Sequence, residues 1–305
     1  MKRNYMLDNY INLAEKFRLE NKLFKSVGFL KKAFNYAQGR DKYEILLKMG
    51  LIYDEIGNYT LAERKYEQIL EINPNEPRAF YGLAILYDEQ KKHDKAIKYY
   101  EKAIELKPDY DRAYFFLADT WDSIGNKEKA IKYYKKTIEL KPDDFWAYIN
   151  LGSIYEEIDK NQNALDMIDK ALKLKSDNFL ALFNKGVIIN KLGQVEEAID
   201  YYMQSIEQNP KYPYSYLNLA VIFKDKLDYD YAIDIITLGI KNNNKSAFLY
   251  YNRACFYVHR GNLKEALEDA VKAVELNDYF IDYIKNDEEL DPIKDLYDYK
   301  EYFNK

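Results

Sequence analysis

Four asparagines recur at intervals of 34 residues in the second half of the chain: Asn150, Asn184, Asn218 and Asn252. A side-chain amide carries one acceptor oxygen and two N–H donors. It can therefore bond both the C=O and the N–H of an extended polypeptide, whatever the side chains of that polypeptide are. Each such bond contributes roughly 0.5–1.5 kcal/mol net. Four of them, with apolar contacts added, suffice for micromolar binding, which corresponds to about −8 kcal/mol.

Cys255 and His259 are the other pair with chemical potential, since a spacing of four residues places them on one side of a helix. A thiol and an imidazole so placed can ligate a metal or form an activated nucleophile. The sequence offers no third ligand close by, because His93 lies far along the chain. Glycine-rich phosphate loops, HExxH and nucleophile elbows are also absent from the sequence. We therefore expect no metal, no cofactor and no enzymatic activity.

Residues that shape the surrounding structure repeat at the same interval of 34 residues as the four asparagines. Seven alanines share it: Ala62, Ala96, Ala130, Ala164, Ala198, Ala232 and Ala266. A fixed period of 20–50 residues is typical of a repeat array, whose extended surface serves binding more often than chemistry. Four glycines repeat in the same register, at Gly57, Gly125, Gly193 and Gly261.

Each unit reads as a hairpin of two helices. In residues 77–110, the side chains of Phe80, Leu83, Ala84 and Tyr87 follow the helical period on one face, and a second periodic run begins at Ala96. The repeated glycines fall between the two runs, where positive φ ends the first helix. Such a hairpin cannot bury both faces alone and must stack on its neighbours.

The segment "FYGLAILYDEQKKHDKAIKYYEKAIELKPDY" resembles the tetratricopeptide repeat family, which implies an all-α fold: a right-handed α-solenoid superhelix of stacked helical hairpins. We assign residues 1–280 to the solenoid, with a weak repeat at 7–40 and clear repeats starting at residues 43, 77, 111, 145, 179, 213 and 247. Residues 281–305 are predicted to form a C-terminal cap. There, Asp291 and Pro292 predict a short helix that runs to about Phe303.

In this family the first helix of each hairpin lines a concave groove. The resemblance therefore places the four asparagines in the groove, beside the apolar side chains of Trp146, Phe183, Tyr214, Phe248 and Tyr251. The pattern is similar to the asparagine ladder of O-linked N-acetylglucosamine transferases, which grips extended polypeptide, although no catalytic domain follows here. The implied function is a non-enzymatic adaptor or scaffold that binds a peptide or partner protein.

Two alternatives remain open at this point. The apolar channel can be filled by a second copy of a self-assembling structural protein, or by the chain's own tail, rather than by a partner.

In the first half of the chain, the first helices end in acidic residues: Asp54, Glu55, Asp88, Glu89 and Asp122, continued by Glu156 and Glu157. These residues form either a solvated edge paired with lysines or a stripe that attracts a basic partner.

Composition narrows the class of partner. The 305 residues carry a net charge of −5 with no repeating Lys/Arg stripe, which argues against nucleic-acid binding. No apolar run approaches the length needed to cross a membrane, and the N-terminus lacks the pattern of a signal peptide. The single cysteine fits a reducing compartment. We therefore expect a cytoplasmic protein, which leaves homo-oligomerisation possible.

Overall fold

A computed structural model describes residues 5–303 of the chain, in which every regular element is a helix. The chain divides into two compact units, Met1–Ala147 and Tyr148–Lys305. The predicted all-α solenoid of helical hairpins is confirmed.

The first unit contains α1 (Tyr5–Leu19), α2 (Leu23–Phe34), α3 (Arg40–Glu55), α4 (Tyr59–Ile72), α5 (Pro77–Glu89), α6 (His93–Leu106), α7 (Asp111–Ser123), α8 (Lys127–Leu140) and the beginning of α9 (Phe145–Glu157). The second unit contains the rest of α9, α10 (Asn161–Leu174), α11 (Phe179–Lys191), α12 (Val195–Gln208), α13 (Pro213–Asp225), α14 (Tyr229–Asn242), α15 (Ala247–Arg260), α16 (Leu263–Leu276), α17 (Phe280–Asn286), a 3-10 turn (Glu288–Leu290), α18 (Asp291–Lys294) and α19 (Tyr297–Phe303).

Packing in the first unit follows the repeated small residues. Helices pair as α1 with α2, α3 with α4, α5 with α6, and α7 with α8. Ala62 is fully buried, and so is the ring of Tyr66 one turn further along α4. A Cβ added to Gly50 or Gly82 would lie 2.8 or 2.5 Å from that ring, so glycine makes room for the tyrosine. Gly82 stands where the later repeats carry asparagine, and here its missing side chain leaves space for the ring of Tyr66.

The turns between paired helices repeat one backbone conformation. The predicted positive φ is confirmed at Gly57, Gly125, Gly193 and Gly261, where φ lies between 78 and 87°. The same conformation occurs in the same register at Lys91, Asp159 and Leu227, with φ between 57 and 60°. A residue with a Cβ is strained there. The hairpin geometry, rather than the residue type, therefore sets the conformation of this turn.

In the second unit, α11 pairs with α12, α13 with α14, and α15 with α16. Ala198, Ala232 and Ala266 are fully buried within one apolar core, which continues to Phe303. Because α11, α13 and α15 are the first helices of their hairpins, their corresponding faces carry the predicted asparagines.

The tail differs from the single helix predicted after Asp291. It consists of three short helices and a 3-10 turn, beginning at Phe280. Ile284, Leu290 and Ile293 are fully buried against the last hairpin, whereas Tyr297 is exposed. The tail packs against the end of the core through these buried side chains. That it serves as the cap of the solenoid stays a prediction.

Candidate functional site

The predicted amides of Asn184, Asn218 and Asn252 each donate a hydrogen bond inside the second unit. Nδ2 of Asn184 lies 3.3 Å from Oγ of Ser153, and Nδ2 of Asn218 lies 3.5 Å from the hydroxyl of Tyr202. Nδ2 of Asn252 donates to the carbonyl oxygen of Phe248 on its own helix at 2.8 Å. Each bond uses one of the two N–H donors of a carboxamide and restricts its orientation. Asn150, on α9, is half-buried like the others.

Aromatic rings connect these helices on the same side. Phe183 packs edge-on against Tyr212 at 5.1 Å, and Tyr212 lies 5.4 Å from Tyr214. Tyr214 then stacks on Phe248, with ring centroids 5.0 Å apart. Tyr214 remains 48% exposed. We call the surface formed by Asn184, Asn218 and Asn252 with Phe183, Tyr214 and Phe248 the asparagine face.

Trp146 was predicted to contact the peptide but lies in the first unit, whereas Tyr212 lies among these rings but was not predicted. Trp146 belongs to the first unit, at the beginning of α9, where it is 47% exposed and packs edge-on against Phe145. Tyr212 was not predicted, although it links the rings of successive helices. Its position immediately before Pro213 and α13 was the available signal, since an N-terminal cap position lies close to the preceding hairpin.

Tyr251, also predicted to contact a peptide, is engaged by the chain's own tail. Its hydroxyl donates to Oδ2 of Asp287 at 2.5 Å. Its ring lies 5.4 Å from that of Phe280 and 6.3 Å from that of Tyr283. The tail thus lies over this part of α15, at the place where a partner's side chain was predicted.

The tail also brings two carboxylates to Cys255 and His259. The sulfur of Cys255 lies 3.9 Å from Oδ2 of Asp287, and Nε2 of His259 contacts Oε1 of Glu289. Cys255, Asp287 and Glu289 place potential ligand atoms within 4.8 Å of one another. The expectation that no third ligand lies near was therefore wrong, because these residues are distant in sequence but adjacent in space. Such a set can hold a metal, but Nζ of Lys224, 3.1 Å from Glu289, already supplies positive charge.

The surroundings shift the pKa values of the Cys255 thiol and the Glu289 carboxyl in opposite directions. Burial, and then the charges of Glu289 and Asp287, raise the pKa of Cys255 far above its usual range. The thiol therefore stays protonated and is a poor nucleophile at neutral pH. Burial opposes ionisation of Glu289, yet hydrogen bonds from His259 and Lys224 hold its pKa below the usual value. Glu289 is ionised and accepts from both side chains.

The acidic helix ends of the first unit fall into two kinds. Asp122 is paired with Nζ of Lys127 at 2.8 Å, as a solvated edge requires. Asp54 differs, because among residues 5–303 its buried oxygen Oδ1 has no hydrogen-bond partner. Burial, followed by the charge of Glu89, raises the pKa of Asp54 to about 6. The negative charge of Asp54 is therefore poorly compensated in the first unit.

Comparison with protein families identifies repeats in most of the chain. Family models described as "tetratricopeptide repeat" match residues 43–76, 77–110, 149–213 and 249–279. A model described as "TPR repeat" matches residues 123–159. A comparison with curated protein sequences finds no match.

Solved structures share the fold. A tetratricopeptide repeat protein from Parabacteroides merdae is 18% identical, with a TM-score of 0.64 over 80% of this chain and 97% of that one. MamA is 25% identical, with a TM-score of 0.51 over 54% of this chain and 96% of MamA. The Cut9–Hcn1 hetero-tetramer of the APC/C contains a chain that is 16% identical, with a TM-score of 0.59 over 89% of this chain and 52% of that one.

Within residues 5–303, none of the helices combines the length and the apolar composition that crossing a bilayer requires.

Proposed function

The chain belongs to the tetratricopeptide repeat family, whose arrays serve in general as protein-interaction modules, and from this premise we propose that it is a non-enzymatic adaptor or scaffold. Its partner is an extended segment of another protein, bound along the asparagine face. Asn150, Asn184, Asn218 and Asn252 bond the main chain of that segment, and the neighbouring rings contact its apolar side chains.

The regular succession of carboxamides carries this proposal. Asn184, Asn218 and Asn252 lie on three successive first helices, and each uses one N–H in a bond that restricts the amide. A donor group held in place before binding loses less side-chain entropy when the partner arrives. Such bonds read the main chain rather than the sequence, which suits an adaptor that accepts extended segments.

The rings supply the apolar part of the affinity. Tyr214 is about half exposed and stacks on Phe248, so a peptide side chain can cover the outer faces of both rings. Burial of apolar surface contributes about 25 cal/mol per Å² before the costs of association. Phe183 and, at the beginning of α9, Trp146 are assigned the same role. Tyr251 takes part only when the tail segment that binds it moves away.

The proposal is tested with immobilised libraries of extended peptides. We expect the full chain to select peptides with affinities near micromolar, and a variant with all four asparagines changed to alanine to lose at least about tenfold. Asn163→Ala is the matched control, because Asn163 is exposed on α10, the second helix of its hairpin. Equal binding by a folded quadruple variant and by wild type would reject the asparagine ladder.

Self-assembly is the second candidate, favoured by the exposure of Trp146 and Tyr214. In that case the same rings contact a second copy of the chain. Light scattering would show a mass that rises with protein concentration, and Tyr214→Ser would abolish the rise. A constant monomeric mass would remove this candidate.

A further inference from the structure

A second candidate binding feature lies at the end of the second unit, where four side chains contact two carboxylates of the tail. We call these four side chains, Lys224, Tyr251, Cys255 and His259, the seats. Lys224 and His259 both contact Oε1 of Glu289, the ammonium at 3.1 Å. Because an ionised carboxylate only accepts, Nε2 of His259 is the donor in this contact. Tyr251 donates its hydroxyl to Asp287, and the thiol of Cys255 lies 3.9 Å from the same oxygen.

The seats are built from rigid elements. Lys224 lies in the last turn of α13 and His259 in the last turn of α15, where the negative end of each helix dipole favours a cation. The ring of Tyr229 stacks on the imidazole of His259 at 5.0 Å and 11°, which holds that side chain in place. The helices therefore fix the backbone of both basic residues, and the stacking restricts the imidazole of His259.

The charge of this region departs from the rest of the repeats. Earlier first helices end in acidic residues, whereas each of the last three carries a basic residue in its last turn: Lys191, Lys224 (which Asp225 follows) and His259. An acidic segment is therefore attracted to the end of the second unit and repelled by the acidic helix ends nearer the N-terminus. Of the three, Lys191 is already paired with Glu156 at 2.6 Å, which leaves Lys224 and His259 as the pair that meets the tail.

The tail contacts these seats through two carboxylates, separate from the apolar side chains that cover the core. Ile284, Leu290 and Ile293 are fully buried and cover the core. Asp287 and Glu289 instead reach sideways to α13 and α15, and the Glu289 side chain is 28% exposed. Oδ1 of Asp287 also accepts from the N–H of Glu289 at 2.9 Å and so caps the 3-10 turn, while its other oxygen faces α15. The acidic pair therefore points to a recognition role for this surface.

We propose that Lys224, Tyr251, Cys255 and His259 form a binding site for an acidic segment of a partner protein, with the pattern Asp-X-Glu-Leu, and that the chain's own residues 287–290 occupy the site as an internal competitor. The partner's carboxylates take the places of Asp287 and Glu289. This site includes none of the four asparagines, although it shares Tyr251 with the predicted groove. It selects the opposite kind of partner from the acidic helix ends: an acidic peptide, recognised through internal side chains.

Because the tail competes for the site, a free peptide binds only when its concentration is high enough to displace the tail. A segment joined to its site by a short connection acts at an effective concentration of about millimolar. A free peptide with the same sequence at micromolar concentration displaces little of it. Weakening the tail without altering the seats should therefore strengthen binding of a free peptide by at least about tenfold.

The experiment uses the full chain and a fluorescein-labelled peptide with the sequence of residues 286–293, NDEELDPI. Fluorescence anisotropy compares wild type with the isosteric double variant Asp287→Asn, Glu289→Gln, which keeps the buried leucine and isoleucines. We expect the double variant to bind the peptide at least about tenfold more tightly. A peptide with asparagine and glutamine at the two acidic positions should bind neither chain.

Further variants assign the binding to the seats. Adding Lys224→Gln and His259→Gln to the double variant should abolish binding, whereas changing Asn184 and Asn218 to alanine should leave it unchanged, so that failure of the ladder and failure of this site are separable. The single variant Glu289→Gln, with an expected smaller gain, serves if the double variant does not fold by circular dichroism.

Two results would overturn the proposal. One is that the variants with a neutralised tail bind the labelled peptide no more tightly than wild type does, or that peptide binding survives the loss of Lys224 and His259. The other is a wild-type dimer that requires Asp287 and Glu289, which would assign the site to the tail of a second copy instead of a partner protein.

Discussion

Replacing Asp54 with asparagine is expected to stabilise the first unit above pH 6. Asp54 ends a first helix beside Glu89, and its oxygen Oδ1 is buried without a hydrogen-bond partner among residues 5–303. An asparagine has the same shape but no charge. Its amide can donate to the carboxylate of Glu89, which an ionised aspartate cannot do.

The magnitude follows from the raised pKa. A rise from 3.8 to about 6, caused first by burial and then by Glu89, corresponds to an upper limit of about 3 kcal/mol. Asp54 is only half-buried, so solvent screening reduces the effect to roughly 1 kcal/mol. Asp54 binds its proton more tightly in the folded state than in the unfolded state. The free energy of unfolding of wild type therefore falls as pH rises from about 4 to 6 and Asp54 ionises. Asparagine carries no such penalty.

The assay is urea denaturation of both chains between pH 4 and 7.5, followed by circular dichroism, with hydrogen exchange to localise the change to α3 and α5. We expect the two free energies of unfolding to agree near pH 4 and to differ by roughly 1 kcal/mol in favour of the variant at pH 7.5. Glu71→Gln, at an exposed position of α4, controls for the loss of one negative charge. A variant that is less stable than wild type at pH 7.5, or a difference that does not change with pH, would refute the reasoning.

Three further changes probe packing and backbone. Asp269→Ala should lower the free energy of unfolding by about 3 kcal/mol in urea denaturation, because the largely buried guanidinium of Arg253 loses its carboxylate partner, bonded at 2.6 and 2.8 Å, and keeps only its bond to Thr237. A loss below about 1 kcal/mol would contradict this. Gly82→Ala should lower stability by roughly 1–3 kcal/mol, since its Cβ would lie 2.5 Å from the ring of Tyr66, and an unchanged melting curve would show that the ring moves freely. Leu227→Gly should raise stability by roughly 0.5–1 kcal/mol, because Leu227 has a φ of 60° and its side chain is 72% exposed; a loss of stability would mean that the side chain packs in solution.

The repeat pattern was sufficient to predict most of the fold. A helical hairpin depends on contacts between residues three or four apart and on the small residues where its helices cross, and both are visible in sequence. The positive φ at Gly57 and Gly125 was predicted because glycine favours that region. The same conformation at Lys91 and Asp159 was not predicted, although the interval of 34 residues pointed to it, because their own preferences oppose it.

The candidate site was predictable in part. The positions of Asn184, Asn218 and Asn252 on successive first helices follow from periodicity. Their hydrogen bonds do not, because each acceptor is of a different kind: a serine hydroxyl, a tyrosine hydroxyl and a main-chain carbonyl. Whether a peptide uses these amides stays a prediction.

The sequence by itself determined the period, the hairpins and the residues that bury their crossing points, because those properties repeat and arise from local contacts. Only the tertiary structure decided that Asp287 and Glu289 meet Lys224, Cys255 and His259, and that Asp54 meets Glu89. The tail follows no period, so its path depends on the shape of the surface that the last hairpin presents. A charge brought beside another by such packing changes the energy of both, and no pattern along the chain records that distance.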